Sequence, residues 1–255
     1  MIVKENTKAG AKTISFLFED SGFSVIMPDG KSGFSKNSFH METLYTVNGW
    51  EKAKQVLEKQ IFFQAKHEFI DISVLNNRFT LIPLEHFDED TAEIFLNYNV
   101  PFSLNEGLRF NLIPQWDTAL VFYYPEEIET LFENYSDKLR ITHTGFKLLS
   151  NLSLHSNNGI YVNLYEKQAE FAVIQDSKLL LYNIFPCETM KDILYFLFLT
   201  CQKLSLSAEN TDVFYLGRLE DKESGREQIL RFFRSLYRGG KNEFEGRNFT
   251  TLDLL

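Results

Sequence analysis

The sequence predicts an α/β fold of two consecutive domains, and three observations carry that prediction. A meander of short alternating strands followed by an amphipathic helix occurs near the N-terminus and again after residue 158. The chain is 255 residues long, close to the length at which a single hydrophobic core gives way to two. With 44% hydrophobic residues, and 25 Phe against only 13 Gly and 6 Pro, its composition is that of packed cores and excludes disordered, collagen-like and low-complexity chains.

The first element is the alternating stretch Thr13 to Met27, broken by Glu19-Asp20-Ser21-Gly22, which reads as two antiparallel strands around a tight turn. Phe34 to Met41 extends this meander after the Asp29-Gly30 and Ser32-Gly33 punctuation. Trp50, Ala53, Leu57 and Ile61 then mark one face of a helix from Trp50 to Phe63. Phe69 to Leu75 and Arg78 to Leu84 read as a second hairpin around Asn76-Asn77, and Asp88 to Thr91 opens a short helix to about Asn97. Leu108 to Ile113 pairs with Thr118 to Tyr124, and Pro125 suits the first position of a helix reaching about Tyr135. A strand Leu139 to Thr142, a helix Gly145 to Leu152 and a Ser/Asn-rich link close the first domain, so the domains are expected at 1–152 and 153–255.

The second domain repeats the order. Ile160 to Tyr165, Glu170 to Ile174 and Lys178 to Phe185 form its meander. Thr189 and Asp192 have capping-box spacing at the start of a helix to Leu204, and its apolar run Ile193 to Leu199 predicts burial on all sides. Val213 to Leu216 is a short buried strand. A last helix is expected from the Ser224/Glu227 capping box, through Ile229, Phe233 and Leu236, to Gly239-Gly240. Arg231, Arg234 and Arg238 would lie along that helix as a basic stripe able to hold phosphate or carboxylates, or simply as its solvated face.

Charge and cysteine usage narrow the partners. The net charge of −9 repels nucleic-acid backbones and anionic lipid surfaces, so neither partner is expected. Cys187 and Cys201 fit neither a CxxC pair nor a disulfide framework, which suits a reducing cytoplasm. Cys187 precedes a helix N-terminus that would lower a thiol pKa, while a buried structural cysteine is the plainer reading. No secretory signal is readable at the N-terminus, and no apolar run approaches the ~18 residues that cross a bilayer, so no membrane insertion is expected. The five histidines lack metal-ligand spacing, and Walker A, GxSxG, HExxH and GxGxxG motifs are absent.

The duplicated order of meander, helix, strand and helix resembles the actin-like ATPase (ribonuclease H-like) superfamily. More narrowly, RFTLIPLEHF at 78–87, LLLYNIFPCETMKDILYFLF at 179–198 and DVFYLGRLED at 212–221 are similar to a bacterial family of about this length without an assigned activity. That family is related in shape to cytoplasmic actin-like proteins of pilus assembly and type II secretion. The resemblance implies two mixed sheets, each starting with an antiparallel meander and flanked by helices, facing each other across a nucleotide cleft.

It also implies where a nucleotide would sit. Asp20-Ser21-Gly22 matches the first D-x-G phosphate turn of the superfamily, and an Asp-x-Gly turn is equally an ordinary way to close a hairpin. The second turn reads Tyr165-Glu166-Lys167-Gln168, with neither Asp nor Gly, so it has lost that motif. Gly217-Arg218 stands where paired glycines border the base, and Gly217 alone also reads as a strand-end turn. The expected function is therefore a non-catalytic interaction or scaffold protein with an unidentified protein partner and no cofactor. The alternative is a divergent switch holding ATP with Mg²⁺ at Asp20, Ser21, Gly22, Gly217 and Arg218. A nuclease would need several clustered carboxylates, of which Asp20 is the sole well-placed member.

Overall fold

The computed structural model describes residues 13–28, 34–60, 67–101, 103–136, 138–152, 157–217 and 222–238. Two five-stranded sheets have the same internal order. In the first, β1 (Thr13–Glu19), β2 (Gly22–Pro28) and β3 (Phe34–His40) form an antiparallel meander, and β4 (Phe69–Val74) and β8 (Leu139–His143) add in parallel on the β1 side, giving β3-β2-β1-β4-β8. In the second, β9 (Gly159–Leu164), β10 (Gln168–Gln175), β11 (Lys178–Pro186), β12 (Asp212–Leu216) and β13 (Ser235–Arg238) repeat this as β11-β10-β9-β12-β13. Three of the four parallel steps are made through a single helix, the usual crossover between parallel neighbours. These helices are α1 (Val47–Glu58), α5 (Met190–Leu204) and α6 (Lys222–Leu230).

Between β4 and β8 the chain inserts a small antiparallel sheet, β5-β7-β6, from β5 (Phe79–Pro83), β6 (Glu106–Ile113) and β7 (Thr118–Pro125), with α2 (Ala92–Asn97) and α3 (Glu127–Phe132). Helix α4 (Thr144–Leu152) follows β8. A single apolar cluster runs from Phe16, Phe18 and Ile72 of the first sheet to Ala172, Ile174 and Ile184 of the second. The sheets are therefore packed through one shared core.

Local chemistry sets the helix boundaries. Thr46 caps α1 by accepting the Gly49 N–H at 3.1 Å, and Trp50, Ala53 and Leu57 turn inward. Thr189 and Asp192 form the expected capping box of α5.

Four expectations are corrected. β4 and β5 do not form a hairpin. β4 pairs with β1 and β8, and β5 crosses to β7. Asn76 fixes the crossing by donating Nδ2–H to Tyr123 O at 2.9 Å and accepting the Arg78 N–H on Oδ1 at 3.0 Å. Pro125 ends β7, and α3 starts two residues later. Helix α5 covers only one face of its sheet, so Tyr195 and Phe198 in its apolar run remain 60% and 39% exposed.

The last helix ends at Leu230, and Ser235–Arg238 becomes strand β13, with Leu236 paired to Val213 and buried. The open edge of β12 offers this segment ladder hydrogen bonds and burial that outweigh its helical pattern. The basic stripe is thereby dispersed. Arg231 lies in the turn, Arg238 ends the strand, and Arg234 binds Asp212 with Nε at 2.7 Å from Oδ1 and Nη2 on Oδ2.

Candidate functional site

The β1–β2 and β9–β10 turns meet where the two sheets face each other. Gly22 stands opposite His40 in the β2–β3 ladder, and His40 Nδ1 lies 2.8 Å from Glu166 Oε2 in the other turn. On the far side, Gly217 follows β12 so closely against β9 that a Cβ there would sit 2.5 Å from Leu164 O. Asp20, Ser21 and Gly22 thus share the first turn, Gly217 packs on Leu164 just before the second, and Arg218 lies outside the described residues.

The first turn is bound by its own chain. Leu44 N–H donates to Asp20 O at 2.6 Å, Met41 N–H to Ser21 O at 2.8 Å, and the Thr43 hydroxyl to Asp20 Oδ1 at 2.8 Å. Gly22 has φ +137°, and a Cβ would stand 2.0 Å from Phe39 O. Gly217 has φ +83°. Both glycines are required by backbone conformation and by close packing within the chain.

Behind the turns lies a carboxylate that the sequence reading did not single out. Glu170, on β10, is fully buried. Its Oε2 accepts from Asn163 Nδ2 at 2.7 Å and the Tyr165 hydroxyl at 2.8 Å, and its Oε1 accepts from the Tyr182 hydroxyl at 2.7 Å. Burial raises the Glu170 pKa, and the surrounding donors draw it part of the way back. Burial and then the Glu170 charge hold the phenols of Tyr165 and Tyr182 well above their ordinary value.

The Tyr182 ring occupies the space beside the first turn of α4, where a Cβ on Gly145 would lie 2.3 Å from its hydroxyl. His143 completes that turn by accepting the Gly145 N–H on Nδ1 at 3.0 Å, which leaves Nε2–H to donate to Asn76 O at 2.9 Å. Burial lowers the His143 pKa to about 4, so the ring is neutral at physiological pH. The faint signal for this cluster was a glutamate inside the otherwise apolar run Ala169–Ile174. Its partners come from β9, the turn that follows it and β11, and no spacing rule links them.

Cys187 and Cys201 are free and buried. Burial, with Asp192 adding to it, pushes the Cys187 thiol up to about 12, the opposite direction from the helix-terminus expectation. Among the described residues no group of three or more His, Cys, Asp or Glu is placed to hold a metal ion.

The model of the family described as "Protein of unknown function (DUF3822)" matches residues 4–236. The chain belongs to this DUF3822 family. A Bacteroides thetaiotaomicron VPI-5482 protein described as having an actin-like ATPase fold and unknown function superposes with a TM-score of 0.77 at 22% identity, covering 94% of each chain. A PilM–PilN type IV pilus biogenesis complex matches with a TM-score of 0.56 at 9% identity, again over 94% of each chain. The cytoplasmic domain of EpsL, an inner membrane component of the Vibrio cholerae type II secretion system, matches at 0.45 with 8% identity over 92% of this chain and 88% of that one. None of the curated proteins matches this DUF3822 chain. Its fold is that of the actin-like ATPases, and no helix among the described residues is long and apolar enough to cross a membrane.

Proposed function

We propose that this chain is a non-catalytic protein-interaction module on an actin-like ATPase fold. The observation that carries the reading is the junction of the two hairpin turns, which the chain's own groups occupy. The His40–Glu166 pair bridges the turns, Asp20 is engaged by Thr43 and Leu44, and the Glu170 cluster fills the space behind. Three features argue against a fit for ATP with Mg²⁺. The second turn has no glycine to wrap a phosphate, Glu170 places a buried carboxylate behind the turns, and both glycines answer to packing inside the chain.

The PilM–PilN complex is a precedent for this fold working by holding another protein, at an identity that lends nothing finer. The net charge of −9 favours a protein over a nucleic acid or an anionic membrane. Two buried free thiols suit the reducing cytoplasm.

Thermal unfolding of the purified chain with millimolar ATP, ADP or GTP plus Mg²⁺ tests this reading. Saturation at 100-fold over Kd would add about 2.7 kcal/mol, a rise of roughly 5 °C or more for a chain of this size. No shift is expected. Such a rise would overturn the proposal in favour of the ATP switch, and Asp20→Ala would be the next variant.

A further inference from the structure

Among the described residues, two open strand edges border one groove. β5 is the outer strand of the small sheet and β11 the outer strand of the second sheet, and no ladder joins them. The groove between them has a volume of about 640 Å³. Phe79, Leu81 and Pro83 of β5 line one wall, and the run Leu179–Asn183 of β11 lines the other. At one end the Phe79 ring packs 5.1 Å from the Tyr182 ring, and beyond that contact the strands stand apart.

The β11 edge is shaped to pair. The Ile184 N–H turns to the Asn183 side-chain oxygen at 2.9 Å, so by the alternation of an antiparallel ladder Tyr182, two residues earlier, also directs its backbone groups away from β10 and toward the groove. The register with β10 shifts after Val173, beside Leu180, whose side chain is 41% exposed. Exposed Lys178 and Pro186 guard the two ends of β11, yet between them the bulge, itself a usual guard on a strand edge, presents an apolar side chain.

The groove also has a charge. Among the described residues lining it Asp117 is the one that is charged, and its carboxylate has no ion pair among the described residues. A positive φ of 50° holds it in the turn before β7, on the groove rim.

We propose that this groove binds an extended segment of a partner protein, which adds as a strand to the edge of β11, sets apolar side chains against Leu81 and Leu180, and directs a lysine or arginine to Asp117. The proposal rests on the interaction reading above and names its surface and its partner chemistry. Backbone pairing supplies affinity, and the alternating side chains supply selectivity. The five residues Leu179–Asn183 span about 17 Å when extended, room for a segment of about five residues. Phosphate-bearing ligands do not fit, because no cation among the described residues lines the groove. A second copy of a chain with charge −9 meets like charge, which a basic segment does not.

The test is selection of displayed random heptapeptides on the immobilised full-length chain, followed by fluorescence anisotropy with the enriched peptides as free probes. Enriched sequences are expected to alternate apolar residues and to carry Lys or Arg. Leu180→Lys, at an exposed site, should weaken their binding about ten-fold and Asp117→Asn about three-fold with less salt dependence, both variants unfolding at the wild-type temperature. N-methylation of one alternate set of peptide amides should abolish binding, while methylation of the other set leaves it intact. Equal binding to both variants, equal effects of the two methylation patterns, or no enriched peptide would each overturn the groove proposal. Peptides that bind elsewhere would leave the interaction reading standing, since the nucleotide experiment judges that separately. A dimer in sedimentation that Leu180→Lys dissociates would assign the groove to a second copy and likewise overturn the proposal.

Discussion

Lys147 Nζ lies 2.8 Å from Asp71 Oδ2, and both side chains are closed off from solvent, at 2% and 0% exposure. The pair clamps α4 to β4, beside the turn that His143 completes. Burial alone would raise the Asp71 pKa, but the Lys147 and Arg140 cations outweigh it and hold the carboxyl below its ordinary range. Burial draws Lys147 down to about 8 in spite of Asp71.

Removing one partner strands the other in the core. Lys147→Met is expected to lower unfolding free energy by about 3 kcal/mol, with Arg140 limiting the loss. The double variant Asp71→Leu/Lys147→Met should recover most of it, because a buried ion pair gains little over well-packed apolar side chains. Urea denaturation of both variants checks this, and a double variant weaker than the single one contradicts it.

The raised pKa of Glu170 gives a pH dependence with a definite sign. A carboxyl whose folded pKa exceeds its unfolded value of 4.5 contributes stability that is complete below 4.5 and is lost as pH rises through the folded pKa. Every tenfold difference in proton affinity between the folded and unfolded chain is worth about 1.4 kcal/mol. Glu170→Gln should remove the part of any fall in stability above pH 4.5 that Glu170 contributes, and chemical denaturation of both proteins at a series of pH values reads the difference. Parallel profiles for the two proteins would refute the assignment.

Gly22→Ala should destabilise the chain with no ligand present. At φ +137° and 2.0 Å from Phe39 O, the new Cβ forces the meander open, at a cost of about 2 kcal/mol or more. A thermal melt in plain buffer tests it. An unchanged melt would free Gly22 from its packing role and reopen the phosphate-turn reading.

His40→Ala should act locally. Its pair with Glu166 is exposed on both sides, so global stability should change by less than about 1 kcal/mol. Hydrogen exchange at the amides of Met41 and Tyr165 should nevertheless accelerate, because the contact joins the two turns. A uniform change along the chain would contradict the local role.

Cys187 and Cys201 should resist thiol reagents at pH 8 while the chain is folded and react fully in denaturant. Both are buried, and burial raises both thiol pKa values. Absorbance with a disulfide reagent decides this, and fast labelling of the native chain would contradict the burial.

The strands of both meanders were legible because period-2 alternation and turn residues are local signals. Thr13–Glu19 and Gly22–Pro28 lie where the pattern put them, and so do the capping box of α5 and the glycine closing β12. What failed was local evidence asked to decide a non-local question. Phe69–Val74 and Phe79–Pro83 look like a hairpin because two asparagines separate them, yet their partners are β1 and β7, and a strand's partner is chosen by burial across the whole sheet. Ser235–Arg238 carries a helical pattern and becomes a strand because β12 leaves an edge open.

The order of residues alone specifies the duplicated succession of elements, the acidic charge and the loss of glycine from the second turn, since each is written in residue identity or short spacing. Folding in three dimensions was needed to bring His40 to Glu166, to gather donors from two strands and a turn around Glu170, and to set two strand edges along one groove. Those contacts join residues up to 126 positions apart, and such pairs are selected by how the layers pack rather than by any pattern along the chain.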